Sequence, residues 1–96
     1  MRQLSMPLAE KLDAPLADLC NGDELASSTR VPVVVRCSQD ALAEIAALVG
    51  ELGGSVRHYL ARIGAVVAWV PLVAIAELAQ NAGVRSLELE QEFTIA

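Results

Sequence analysis

Aromatic side chains and basic residues are what this sequence of 96 residues has least of. It holds one Trp, one Tyr and one Phe, and 7 Lys and Arg against 12 Asp and Glu. Nucleic-acid binding needs a basic surface, and RNA-recognition sheets also need aromatic side chains on which bases stack. The net charge of −5 therefore argues against nucleic acid and against an anionic membrane surface as partners.

Catalytic groups are equally scarce. His58 is the only histidine, and no cysteine or carboxylate stands near it in the sequence. A serine or cysteine nucleophile needs a neighbouring base, so we expect no catalytic triad. No glycine-rich loop precedes a predicted helix, and no metal-ligand spacing is present. We therefore predict a protein that is not an enzyme and binds no metal or cofactor.

The two cysteines, Cys20 and Cys37, do not form a disulfide framework. We interpret them as free thiols, although a disulfide between them stays open. Cys37 falls at a predicted strand–helix junction, where it either packs in the core or has a lowered pKa. No apolar run is long enough to span a membrane and no signal peptide is visible, so we predict a cytoplasmic location.

Hydrophobic periodicity predicts the fold. Gly53-Gly54 ends a helical pattern, and two apolar runs follow that predict a β-hairpin turning around Ile63-Gly64-Ala65. One helix and one further strand flank the hairpin on each side. The predicted class is α+β, a ferredoxin-like βαββαβ fold with a four-stranded antiparallel sheet and two helices on one face. The predicted segments are strand 31–37, helix 39–52, the hairpin, a helix opened by Pro71, and strand 84–90.

Residues 1–30 differ from the domain predicted for residues 31–96. They predict an arm of one or two short helices and a polar linker, with Ser5 and Asp13 as helix N-caps. A leucine stripe runs along the arm, formed by Leu4, Leu8, Leu12, Leu16 and Leu19. The arm is either loosely docked and mobile, or a helix pair used for docking or dimerisation.

The last strand indicates which sheet face is free. Leu87 and Leu89 alternate with Glu88 and Glu90, so one face packs on the helices and the other carries both acids. A four-stranded sheet with its helices on one side leaves the opposite face uncovered, which makes it a candidate docking surface. Trp69 is a core residue, a solvent-shielding cap or, if it shares the outward parity of Val67, an interface anchor.

A pattern of small and apolar positions across residues 31–96 is similar to that of a known family. It comprises Gly53-Gly54-x-Val56, Leu60, Ile63, Ala65, Ala68, Val70-Pro71, Leu78 and Gly83-Val84-x-x-Leu87-Glu88. This pattern resembles the propeptides of subtilisin-like serine proteases, the inhibitor I9 family, which also contains free-standing inhibitors. The resemblance implies that the open sheet face docks on two surface helices of the protease, with Glu88 and Glu90 capping the helix N-termini.

The resemblance also assigns a role to the C-terminal tail, Phe93-Thr94-Ile95-Ala96. In the family the tail occupies the active-site cleft as a product would, so Ala96 corresponds to the first specificity pocket and Phe93 to the fourth. The implied function is inhibition or folding assistance of a subtilisin-like protease, in trans or as part of its parent chain. The tail is otherwise the end of the fourth strand.

A second class of function stays open. The same sheet face and leucine stripe suit a non-catalytic interaction or assembly module, including a homodimer. A regulatory small-molecule domain is a third alternative, although no polar pocket residues stand out.

Overall fold

The computed structural model describes residues 10–22 and 25–90, which form an α+β domain with one open sheet. Within this part of the chain the helices are α1 (Ala14–Asn21), α2 (Leu42–Glu51) and α3 (Ile75–Gln80). The strands are β1 (Arg30–Cys37), β2 (Ser55–Leu60), β3 (Ala65–Pro71) and β4 (Val84–Leu89). Three short 3₁₀ turns connect them, at Gln39–Ala41, Ala61–Ile63 and Leu72–Ala74. No helix in the described ranges is long and apolar enough to cross a membrane.

The sheet has the strand order β2-β3-β1-β4, and every neighbouring pair is antiparallel. This order and the alternation of helices with strands from β1 to β4 confirm the predicted ferredoxin-like arrangement. The central strand β1 pairs with β3 on one side and β4 on the other, so its register sets the faces of all three strands.

Side chains of β1 alternate strictly between the two faces of the sheet. Val31, Val33 and Val35 are fully buried against the helices, while Val34 and Arg36 lie on the opposite face. The partners of the buried valines on β3 and β4 are also apolar, and with them the helices complete one aliphatic core. The faces that the helices contribute to this core include Ile45, Val49, Ile75 and Leu78.

The hairpin turn forms where the glycine pattern predicts it. Gly64 has φ +67°, and a Cβ atom at this position would lie 2.7 Å from the carbonyl oxygen of Cys37. Only glycine adopts this backbone conformation without strain in so close a contact. The amide of Cys37 in turn donates a hydrogen bond to the carbonyl of Gly64, which fixes the hairpin against the end of β1.

Helix α1 is part of the core, so the interpretation of a loosely docked arm is wrong for residues 14–21. Leu16 is fully buried and Cys20 is 3% exposed, both within the core cluster. The predicted N-cap at Asp13 is confirmed, since its carboxylate accepts a hydrogen bond from the amide of Leu16 at 3.1 Å. The same carboxylate accepts the amide of Leu89 at 3.3 Å, which joins α1 to the end of β4.

Several predicted features lie outside the described residues, among them Leu4 and Leu8 of the leucine stripe. Ser5, the other predicted cap, and the whole tail Phe93–Ala96 fall in the segments 1–9 and 91–96. The role implied for the tail therefore stays a prediction.

The burial of Leu16 gives a direct test of the place of α1 in the core. We expect Leu16→Ala to lower the free energy of unfolding by about 2–5 kcal/mol, because a cavity replaces a fully buried side chain. Leu60→Ala, the same substitution at a leucine that is 38% exposed, should cost well under that amount. Urea unfolding of both variants measures the difference, and equal small losses would contradict the packing of α1.

Candidate functional site

The open face of the sheet has an apolar centre. Val67 on β3 pairs with Val34 on β1, and Trp69 pairs with Pro32, so these side chains lie together on the face without helices. The side chains of Trp69 and Val34 are partly exposed, whereas Val67 is only 9% exposed. Trp69 therefore shares the outward parity of Val67, which was the condition for its role as an interface anchor, and that role stays a prediction.

An ion pair lies beside this centre at the junction of β1 and β4. Glu88 pairs in the sheet register with Val34, which places its carboxylate on the open face. The Arg36 Nε–H donates a hydrogen bond to Glu88 Oε2 at 3.0 Å. Both side chains are more than a third exposed, so the pair contributes at most about 1 kcal/mol to stability.

A second ion pair lies across the face, because a β-bulge directs an arginine there. The β2–β3 register shifts between Val56 and His58, which makes Arg57 the extra residue of the bulge. Its guanidinium carbon lies 5.8 Å from the Trp69 ring centroid, within the range of a cation–π interaction. Its Nη1–H also donates to Glu90 Oε2 at 2.9 Å.

The structure thus gathers four predicted residues, Val67, Trp69, Glu88 and Glu90, on one face. The two arginines that bind the acids were not predicted from the sequence. The position of Arg36 could have been predicted, because Arg36 is two residues after Val34 in a predicted strand and therefore lies on the same face. No sequence signal marked Arg57, because its direction depends on a bulge in an edge strand.

The groups with nucleophilic or basic chemistry are kept apart. Cys37 pairs with Val84 on the helix side of the sheet, and His58 pairs with Val67 on the open face. They cannot act together as nucleophile and base. Burial raises the pKa of the Cys37 thiol, partly offset by the charge of Arg85, so the alternative of a lowered pKa is wrong. Both cysteines are buried, and no disulfide joins them.

A metal site is likewise not formed by the residues described. In ranges 10–22 and 25–90, no three His, Cys, Asp or Glu side chains cluster closely enough to hold an ion. The open face offers a partner apolar contact at its centre and charge pairing around it.

The two edges of the sheet differ. The edge of β4 is covered, because Lys11 and Asp13 exchange backbone hydrogen bonds with Leu87, at 2.7 and 3.0 Å. On the opposite edge all residues of β2 are exposed. The bulge at Arg57 and the basic side chains of this strand are features that disfavour edge-to-edge pairing of sheets.

Comparison with known proteins identifies one related family. A family model described as "Putative peptidase inhibitor domain" matches residues 14–90. The matched range begins at the first residue of α1, in agreement with the packing of this helix in the core. No curated protein matches the chain.

The contact of Arg57 with Trp69 can be tested by fluorescence, because Trp69 is the only tryptophan. We expect Arg57→Ala to increase quenching of Trp69 by acrylamide, since the guanidinium no longer shields the ring. Stability should fall by no more than about 1 kcal/mol, as for other exposed ion pairs. Arg85→Ala, which removes an exposed arginine elsewhere on the sheet, should leave quenching unchanged. Equal quenching in both variants would contradict the contact.

Proposed function

The chain belongs to the Putative peptidase inhibitor domain family, and from this premise we propose that it inhibits a subtilisin-like serine protease by docking its open sheet face on the enzyme. A peptidase-inhibitor role follows in general from membership of the family, and it is typical of proteins that bind without catalysing. The choice of a subtilisin-like target rests on the resemblance of residues 31–96 to the propeptides of those proteases.

The observation that carries the proposal is the composition of the open face. Val34, Val67 and Trp69 form an apolar centre, and two arginine–glutamate pairs lie around it. An apolar centre with a charged rim is typical of surfaces that bind another protein. Tryptophan and arginine are also the residue types that most often dominate binding energy at such surfaces.

Glu88 and Glu90 are the groups proposed to cap two helix N-termini of the protease. A helix N-terminus offers unsatisfied N–H groups and a partial positive charge, and a carboxylate there contributes roughly 0.3–1 kcal/mol. To cap a helix, each glutamate must weaken or break its ion pair with arginine. This costs at most about 1 kcal/mol, because both ion pairs are accessible to solvent. The exchange is close to balanced, so apolar contact must supply most of the affinity.

The proposed inhibitory element is the tail Phe93–Ala96, which would occupy the cleft as a product does. Glu90 supports this geometry, since its side chain lies over the open face and its amide donates to the Pro32 carbonyl at 3.0 Å. The last described residue, Glu90, thus lies at the edge of the proposed docking face. An extended tail would bind by adding backbone hydrogen bonds to strands of the protease.

A chaperone role would use the same contacts. A surface that binds two helices of the folded enzyme stabilises the folded enzyme, because it binds the folded state more tightly than the unfolded one. We propose this as a companion to inhibition, and its readout is recovery of activity when the protease refolds with the chain present.

The first test of the mechanism is removal of Thr94–Ala96. We expect this deletion to raise the inhibition constant by about a hundredfold or more, because it removes the residues proposed to fill the cleft. Unfolding in urea should change little. The measurement is inhibition of a purified subtilisin-type protease on a chromogenic peptide. Undiminished inhibition, or equal loss of inhibition and stability, would contradict the mechanism; no inhibition by the folded full-length chain would favour the assembly alternative.

The second test concerns the two acids. We expect Glu88→Gln and Glu90→Gln each to raise the inhibition constant by about twofold to fivefold, as for loss of a carboxylate at a helix N-terminus. Glu44→Gln and Glu77→Gln remove the same charge from exposed positions on α2 and α3, which pack behind the sheet. These controls should leave inhibition unchanged. Equal effects in all four variants would indicate a general charge effect instead of capping.

A further inference from the structure

A second exposed apolar surface lies at the tip of the β2–β3 hairpin. We define the hairpin surface as the side chains of Tyr59, Leu60, Arg62 and Ile63. Ile63 is 61% exposed, Tyr59 49% and Leu60 38%, and the segment 59–63 lines a depression of about 440 Å³. Large apolar side chains gathered at one exposed place on a small domain indicate an interaction site more often than single exposed ones do.

The charge of this part of the chain is opposite to that of the rest. Between Glu51 and Glu77 the sequence has no acidic residue, while Arg57 and Arg62 both lie there. All 12 acidic residues are elsewhere, with only five of the seven basic ones. Arg57 is held by Glu90, whereas Arg62 forms no ion pair among the described residues, although Asp40 lines a neighbouring depression together with Arg62 and Arg85. The hairpin surface therefore presents a positive charge that no ion pair holds.

Part of the hairpin surface continues the open face at the end far from Glu90, whereas Tyr59 pairs with Val66 and lies on the helix side. Leu60 pairs with Ala65, which pairs with Arg36, so Leu60 is on the open face. Trp69 and Glu90 mark the other end, four residues further along β3, which corresponds to roughly 13 Å. One partner could therefore contact both ends of the face at once.

A second copy of the chain does not suit this surface. Two copies related by a two-fold axis at the hairpin would bring Arg62 against its symmetry mate. Like charges in contact are unfavourable, and the bulge in β2 already disfavours pairing at the strand edge. The chemistry favours a partner whose apolar patch is bordered by carboxylates.

We propose that the hairpin surface is a second docking site, which binds an apolar patch rimmed by carboxylates on the target protease, outside its active-site cleft. Ile63, Tyr59 and Leu60 supply the apolar contact, and Arg62 pairs with an acidic side chain of the enzyme. This inference rests on the proposed inhibitory function and adds a specificity determinant to it. The tail would bind the cleft shared by such enzymes, while the hairpin surface would select those with the complementary patch.

The test compares matched pairs of variants in the full-length chain. Ile63→Ser and Val73→Ser change two β-branched side chains that are both 61% exposed, the second outside the hairpin surface. Arg62→Gln and Gln80→Glu each lower the net charge by one, again inside and outside that surface. Inhibition constants are measured against a purified subtilisin-type serine protease at low and high salt, and urea unfolding verifies that each variant is folded.

We expect Ile63→Ser and Arg62→Gln to raise the inhibition constant by roughly fivefold or more, as for side chains central to an interface. The two controls should change it by less than about twofold. The loss from Arg62→Gln should shrink at high salt, because screening weakens the same pair in the parent chain. In a chain that also lacks Thr94–Ala96 the effects should multiply, as expected for two docking elements that act independently.

The outcomes separate this inference from the proposed function. If the parent chain inhibits and the hairpin variants inhibit as strongly as their controls, the second docking site is overturned. The proposed inhibition through the open face and the tail is then unaffected. A loss of inhibition in Ile63→Ser without a loss in Arg62→Gln overturns the proposal that carboxylates border the partner's apolar patch. A folded parent chain that does not inhibit overturns both proposals.

Discussion

The register of the central strand β1 is the constraint on which the rest of the structure depends. Val33 and Val35 face the helices only while they pair with Ala68 and Val66 on one side and with Leu89 and Leu87 on the other. A slip of one residue would bring Val34 and Arg36 into the core and expose the buried valines. The same register places Val34, Val67 and Glu88 in one row across the open face. The core and the candidate site are therefore two consequences of one pairing.

The edges of the sheet determine which surfaces remain free for a partner. Helix α1 and the residues before it close the β4 edge, and the Asp13 carboxylate serves both the helix N-terminus and the end of β4. The β2 edge has no such cover among the described residues, and its bulge directs Arg57 across the open face. The open face and the hairpin tip are therefore the surfaces proposed for binding. The open face is built on four hydrogen-bonded strands, which limits the entropy that its backbone loses on association.

The charges on the open face form weak and reversible contacts. Exposed arginine–glutamate pairs hold these side chains over the apolar centre only weakly, so the side chains can adopt other arrangements at little cost in free energy. In the proposed complex, each carboxylate would turn to a helix N-terminus and each arginine would pair with an acidic side chain of the partner. Such pairs contribute more to orientation and specificity than to net affinity, so the apolar centre and the proposed tail must carry the binding energy.

Local patterns determined much of the fold. The alternation in β1 and β4, the glycine at the hairpin turn and the Asp13 cap all depend on residues close in sequence, so the element order and the open face were predictable. The outward positions of Glu88 and Glu90 followed from parity alone, whereas the position of Trp69 was left open among three alternatives. Contacts between distant segments were decided only by the tertiary structure: the packing of Leu16 in the core, the closure of the β4 edge, and the pairing of Arg57 with Glu90. Their physical reason is that burial, bulges and ion pairs depend on which strands become neighbours, and no local pattern contains that information.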